Sequence, residues 1–320
     1  MKIEKLAPAF KDYLWGGVKL REVYGKKCGF DKVAESWELS THPAGQSVIC
    51  GGEFDGMALG DYVKQMGAAA VGRNCERFEN FPVLIKFIDA KEPLSIQVHP
   101  SDQYALEVEK EYGKTEMWYV MDCEPGASLY FGVNREVSRE EFAGRIADNT
   151  LLEVLNKVDV HPGDVFFIES GTIHAIGGGI LICEIQQNSN CTYRVYDYGR
   201  IGADGKPREL HVEKALEVSR LTPSDTEDKQ GAEEKIPGGS VKLLASCPYF
   251  TTRRYKVEGQ AHLKIDGSTF AAIVVTEGQG QVSCQENQVP FTTADSLFVP
   301  AQSKDVVITG PCTAVVTTVE

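Results

Sequence analysis

The chain has 320 residues, 42% of them hydrophobic and 25% charged, which allows two packed domains and excludes a disordered or fibrous protein. Its formal net charge of −13 disfavours nucleic acid and anionic membranes as partners, since both select basic surfaces; an anionic small molecule would need a local basic pocket. There is no apolar run of about 18 residues, no signal-peptide core at the start and no C-x-x-C pair among nine scattered cysteines, so free thiols in the cytoplasm are the expectation.

Residues 1–56 read as short strands and turns, and 57–71 as a helix with Leu59, Tyr62, Val63 and Met66 at helical spacing. PVLIKFIDA (82–90) is an apolar run of strand length. In PLSIQVHPSD (93–102), Leu94, Ile96 and Val98 alternate with Ser95, Gln97 and His99, the two-residue period of a strand with one polar face. A short helix follows in QYALEVEKEYG. KTEMWYVMD (114–122) is another strand, with Lys114 and Glu116 on one face. Residues 138–157 read as a single helix, Ser138 and Glu141 forming a capping box. Residues 161–187 read strand, turn, strand, and HVEKALEV (211–218) as a helix.

The polar, Pro- and Gly-rich stretch 221–240 reads as a linker. It divides the chain into a metal-binding catalytic unit (1–230) and a C-terminal unit (238–320) without metal ligands. The tail carries a weak internal repeat: Gly163-Asp164-Val165-Phe166-Phe167-Ile168 resembles Ala294-Asp295-Ser296-Leu297-Phe298-Val299. Ten residues beyond each Asp stand His174 and Asp305. Many short strands with few helices predict a mainly-β fold of two jelly-roll barrels.

His99, Glu116 and His174, brought together inside a barrel, would make an N/N/O metal site with an open position, a catalytic rather than structural arrangement. Gln97 shares the face of His99 and is a fourth candidate. The opposing reading is a set of hydrogen-bonded core residues; it is the one taken for His42, His161, His211 and His262, although His42 lies near Trp37 in a context that could line a pocket. Arg194, between Tyr193 and Val195, either meets an anion or pairs with Asp197 or Glu184. Arg200 follows a Tyr-Asp-Tyr-Gly turn.

PLSIQVHPSD (93–102), GKTEMWYV (113–120), SGTIHAIGGG (170–179) and EIQQNSNCTYRVYDYGR (184–200) together resemble type I phosphomannose isomerases, most closely their short bacterial form. The resemblance spans most of residues 1–220 and implies a bicupin fold and the interconversion of mannose 6-phosphate and fructose 6-phosphate. It implies zinc, or another divalent metal, on His99, Glu116, His174 and Gln97. It implies a catalytic role for Arg194, substrate or phosphate contacts for Ser95, Lys114 and Arg200, and a place in the pocket for Glu184; the candidates for moving the proton are Glu184, Lys114 and metal-bound water. The family often has Asp where this chain has Asn190. The competing readings are another metal-dependent cupin enzyme, such as an oxygenase, and a sugar-binding bicupin without turnover. The expected partner is a sugar phosphate; monomer and homo-oligomer are both open.

Overall fold

A computed structural model describes residues 1–202, 205–224, 230–285 and 287–320. Among these residues the strands form sheets of six, five and eleven. The six-stranded sheet runs, in spatial order, Val165–Ile168, Glu116–Cys123, Ile180–Gln187, Val83–Ala90, Glu35–Leu39 and Ala9–Lys11, all antiparallel. The five-stranded sheet runs Tyr193–Tyr196, Ile96–Val98, His174–Ala175, Ser128–Val133 and Leu155–Asp159. The two enclose a first barrel whose core includes Ile88, Trp118, Val120, Phe131 and Ile182.

Alternate residues of the same strands face the other way. Phe87, Met117, Tyr119, Cys183 and Ile185 pack with Ala272, Val274, Phe298 and Val315 in a core between the two barrels. All eight residues of Val83–Ala90 are therefore buried, and the strand reads as a continuous apolar run because both its faces meet a core. Of the two charged residues in that run, Lys86 and Asp89, Lys86 faces the first barrel, where it meets Glu184.

The second barrel is built on the eleven-stranded sheet, around Ile273, Val275, Phe291 and Val316. Its strand Ser296–Val299 pairs with Glu4–Ala7, which pairs in turn with Val48–Cys50. Two N-terminal strands thus complete a C-terminal sheet, which a division by sequence position does not show. Of the linker expected at 221–240, residues 225–229 lie outside the described residues. Glu233–Ile236 is a strand paired with Gly239–Ser246, so position 238 lies in the turn of a hairpin. The mainly-β, two-barrel expectation holds, and all nine cysteines are free.

The repeat is structural. Gly163 N–H donates to Val120 O and Val120 N–H to Asp164 O; Ala294 and Val275, then Val275 and Asp295, do the same. Asp164 accepts from His161 N–H at 2.8 Å, and Asp295 from Thr292 N–H at 2.7 Å. Strand registers extend the match, setting Ala271 at the place of Glu116, Val316 at that of Glu184 and Arg253 at that of Lys86. The second barrel keeps the frame with an apolar residue where each buried carboxylate stands in the first.

Two helices differ from expectation. The stretch 57–71 breaks at Gly67 (φ +55°) into Leu59–Met66 and Ala68–Val71. The stretch 138–157 is helical only over Arg139–Ala147, stops at Asn149 (φ +56°), makes a 3₁₀ turn at Leu151–Val154 and enters the strand Leu155–Asp159. Left-handed backbone ends a helix, and Asn tolerates it. Ser138 Oγ does accept from Glu141 N–H at 3.1 Å, but the Glu141 carboxylate binds Arg135 and Arg145 instead of closing the box.

Glu4 is 6% exposed, and its pKa is pushed up to about 7 by burial and by Glu53, against the pull of Lys2. The folded chain then holds a proton that the unfolded chain releases, so stability falls as pH rises from 4.5 to about 7. At roughly 1.4 kcal/mol per unit the cost reaches up to about 3 kcal/mol. Glu4→Gln should match the wild type in urea unfolding at acid pH and exceed it by about 2 kcal/mol above neutrality. Parallel pH profiles for the two proteins would contradict this.

Candidate metal centre and the cleft around it

The centre lies between the two sheets of the first barrel. The five-stranded sheet sets Arg194, Gln97 and His174 side by side in register, with His99 just beyond the Gln97 strand. The six-stranded sheet supplies Glu116, and beside it the row Lys86, Glu184, Trp118. The two-residue period that puts Gln97 and His99 on one polar face is what delivers them here.

His99, Glu116 and His174 are buried, and one ligand atom from each lies within 4.8 Å of the others. Each ring is turned by its far nitrogen. His99 Nδ1–H donates to Cys191 O at 2.9 Å, and His174 Nδ1–H to Thr172 O at 2.8 Å. Both Nε2 lone pairs are thereby aimed at the shared space, the orientation of metal-bound imidazoles. Among the described residues, His99 Nε2 and Glu116 Oε1 have no hydrogen-bond partner. Burial of such acceptors is costly unless a cation binds them, so the donor set fits a divalent metal. The amide of Gln97 reaches the site, its nitrogen 3.4 Å from His174 Nε2; a half-turn of that amide presents its oxygen.

The titration states agree. Burial holds His99 well below the ordinary histidine range, helped by the Lys114 charge. Burial also lowers His174, to about 4. Both rings are neutral near pH 7, as ligands must be. Burial and the neighbouring Glu184 push Glu116 up to about 7, against Lys114 at 2.7 Å. A carboxylate that is difficult to ionise beside two neutral imidazoles is one that a metal cation would stabilise.

The adjoining cleft, about 280 Å³, is lined by Ser95, Gln97, Lys114, Glu184, Asn190 and Arg194, and also by Tyr13, Trp15, Glu35, Lys86 and Arg208. Buried charges alternate along its floor. Lys86 lies 3.6 Å from Glu35 and 3.4 Å from Glu184, and Lys114 lies 3.7 Å from Glu184. Burial alone would raise Glu184, but Lys114, Lys86 and the Trp118 N–H (3.1 Å) outweigh it and keep the carboxyl below its ordinary pKa.

Arg194 forms no ion pair among the described residues. Its Nε donates to Ser95 Oγ at 3.3 Å and its Nη1 to Glu209 O at 2.9 Å. Asp197, the alternative partner, is taken by Arg200 and Arg208. Burial and the charge of Arg208 press Arg194 below its ordinary pKa. With Lys86, Lys114 and Arg208 it gives an acidic chain a cationic pocket.

Residues 3–123 match the family described as phosphomannose isomerase type I, catalytic domain, and 240–319 the mannose-6-phosphate isomerase cupin domain. Mannose-6-phosphate isomerase ManA of Bacillus subtilis (strain 168) is 38% identical over 297 residues, 92% of this chain and 91% of that one. The chain belongs to the type I phosphomannose isomerase family. A crystal structure of the mannose 6-phosphate isomerase from Bacillus subtilis superposes with TM-score 0.93 at 34% identity, covering 99% of both chains. A solved mannose 6-phosphate isomerase bound with zinc and yttrium shares the fold, with TM-score 0.81 at 18% identity over the whole of both chains.

The structure brings this phosphomannose isomerase family member's expected residues together with one exception. Arg200 is outside the cleft lining, bound to Asp197 and, through Nη1, to Pro93 O at 2.5 Å. Asp197 passes that hold on to Arg208, which does line the cleft. His42 is not in the lining either; it lies 3.1 Å from Glu111, whose carboxylate also accepts from Asn190 N–H. Lys86, Glu35 and Arg208 were not expected. Lys86 had a signal, one of only two charges, with Asp89, within a mainly apolar strand. Arg208 had none, since only the path of the chain after Asp197 brings it back.

Proposed function

We propose that the protein interconverts D-mannose 6-phosphate and D-fructose 6-phosphate, with zinc held by His99, Glu116 and His174 and with Gln97 as fourth ligand through its amide oxygen. The observation that carries this reading is the pair of histidine lone pairs and the carboxylate oxygen aimed at one buried point, beside an arginine without a carboxylate partner among the described residues. The names of the relatives and the zinc in a solved homologue support it.

When bound, the metal supplies positive charge that polarises the sugar's carbonyl or hydroxyl oxygens. The chain's residues supply the rest. Isomerisation moves a proton between C1 and C2 through an enediol(ate), and negative charge develops on oxygen. Arg194, fixed by Ser95 and the Glu209 carbonyl, places its guanidinium for that charge. Glu184 is the proton carrier we favour: two lysines keep it ionised, and among the described residues its Oε1 carries no hydrogen bond. Lys114 bridges Glu184 and Glu116, fixing the carrier relative to the metal ligands. Arg208 and Ser95 are the proposed phosphate contacts, and Arg200 acts through Asp197 to orient Arg208.

The test is a coupled assay for fructose 6-phosphate formation alongside metal analysis. The metal-loaded protein should turn over mannose 6-phosphate, lose activity on chelation and regain it with zinc. A fully metallated protein that binds mannose 6-phosphate without converting it would favour a binding module.

A further inference from the structure

Arg194 belongs to an edge strand. Tyr193–Tyr196 pairs with Ile96–Val98 on one side and with no strand on the other among the described residues. The main-chain groups that a further strand would bind are taken by one residue. His211 N–H donates to Arg194 O at 2.7 Å, and His211 Nδ1 accepts from Arg194 N–H at 3.2 Å. Two residues earlier, Glu209 O receives the Arg194 guanidinium at 2.9 Å, and the preceding Arg208 lines the cleft. The segment 208–211 therefore grips Arg194 at three points. His211, which sequence pattern alone assigned no partner, supplies two of them.

We propose that His211 is the positioning residue of Arg194: its neutral ring, through Nδ1, fixes the arginine's backbone and with it the place of the guanidinium over the cleft. The inference rests on the isomerase reading, in which Arg194 meets charge developing on the sugar. Charge stabilisation depends on placement, and a shift of about 1 Å in a positioned group costs on the order of a hundredfold in rate. A ring that accepts at Nδ1 must be unprotonated there. Burial and the charges of Arg194 and Lys214 favour the neutral form, opposed by Glu209 and Glu109, and the net direction is downward. The Tyr193 ring lies 6.1 Å away and flanks the imidazole.

The test compares His211→Asn with His211→Gln in the zinc-loaded protein. The Asn amide oxygen occupies the place of Nδ1; the Gln oxygen extends to the place of Nε2. The main-chain bond from residue 211 persists in both. The Asn variant should keep kcat close to wild type. The Gln variant should lose about tenfold to a hundredfold in kcat with little change in KM or metal content, and His211→Ala should match it. A role confined to seating the following helix would move Tm and leave the two kcat values equal. An active wild type with equal Asn and Gln variants overturns this inference alone. A metallated wild type without isomerase turnover overturns the function reading, and this inference with it.

Discussion

His174→Ala is expected to give a folded protein that holds no stoichiometric metal and shows no isomerase turnover above background. His174 is one of three groups in the centre, and the loss of its Nε2 leaves one imidazole and one carboxylate facing a buried space. Of the proposed set only the neutral Gln97 amide then supplements them, and a catalytic zinc is held by three imidazole, thiolate or carboxylate ligands. The fold should survive, because the ring's neighbours Trp118 and His99 are fixed by other contacts: the indole N–H by Glu184, the imidazole by Cys191 O. The cost in stability is the cavity and the orphaned Thr172 carbonyl, about 2 kcal/mol. His99→Ala should behave alike. Gln97→Ala should retain metal, since the other three ligands remain. Elemental analysis of the purified variants with the coupled assay checks all three, and a metal-free His174→Ala protein with full activity would sink the assignment.

Much of this centre could be read in the sequence because strand geometry is local. The alternation of Leu94, Ile96 and Val98 with Ser95, Gln97 and His99 fixes a polar face without reference to any other part of the chain. The same holds for Lys114 and Glu116. Lys86 was harder, since both faces of its strand are buried and the two-residue period disappears into a continuous apolar run. Arg200 and Arg208 could not be ranked from sequence: both bind Asp197, and only the course of the chain decides which one reaches the cleft. The second barrel shows the same limit. The Asp164 and Asp295 turns carry a recognisable motif, but the pairing of Glu4–Ala7 with Ser296–Val299 joins segments too far apart for any local pattern to signal. The end of the helix at Asn149 was missed because a charged and leucine-rich stretch keeps helical composition through the break.

Arg194→Ala should lower kcat by about a hundredfold to a thousandfold, the range for removing a fixed donor at a developing oxyanion, while zinc content stays at the wild-type level. The separation follows from geometry. Arg194 pairs in register with Gln97, but its own hydrogen bonds go to Ser95, Glu209 and His211, none of which belongs to the metal set. Its removal leaves the Nδ1 bonds that orient His99 and His174 intact. Arg194→Lys should recover little, because a lysine ammonium cannot span Ser95 Oγ and Glu209 O as the guanidinium fork does. Arg208→Ala is the informative contrast. If Arg208 binds the phosphate, it does so in ground state and transition state alike, and its loss should appear mainly in KM. Loss of metal from the Arg194→Ala protein would contradict the role given to the arginine. Equal changes in KM for the Arg194 and Arg208 variants would move Arg194 from the reacting end of the sugar to the phosphate end.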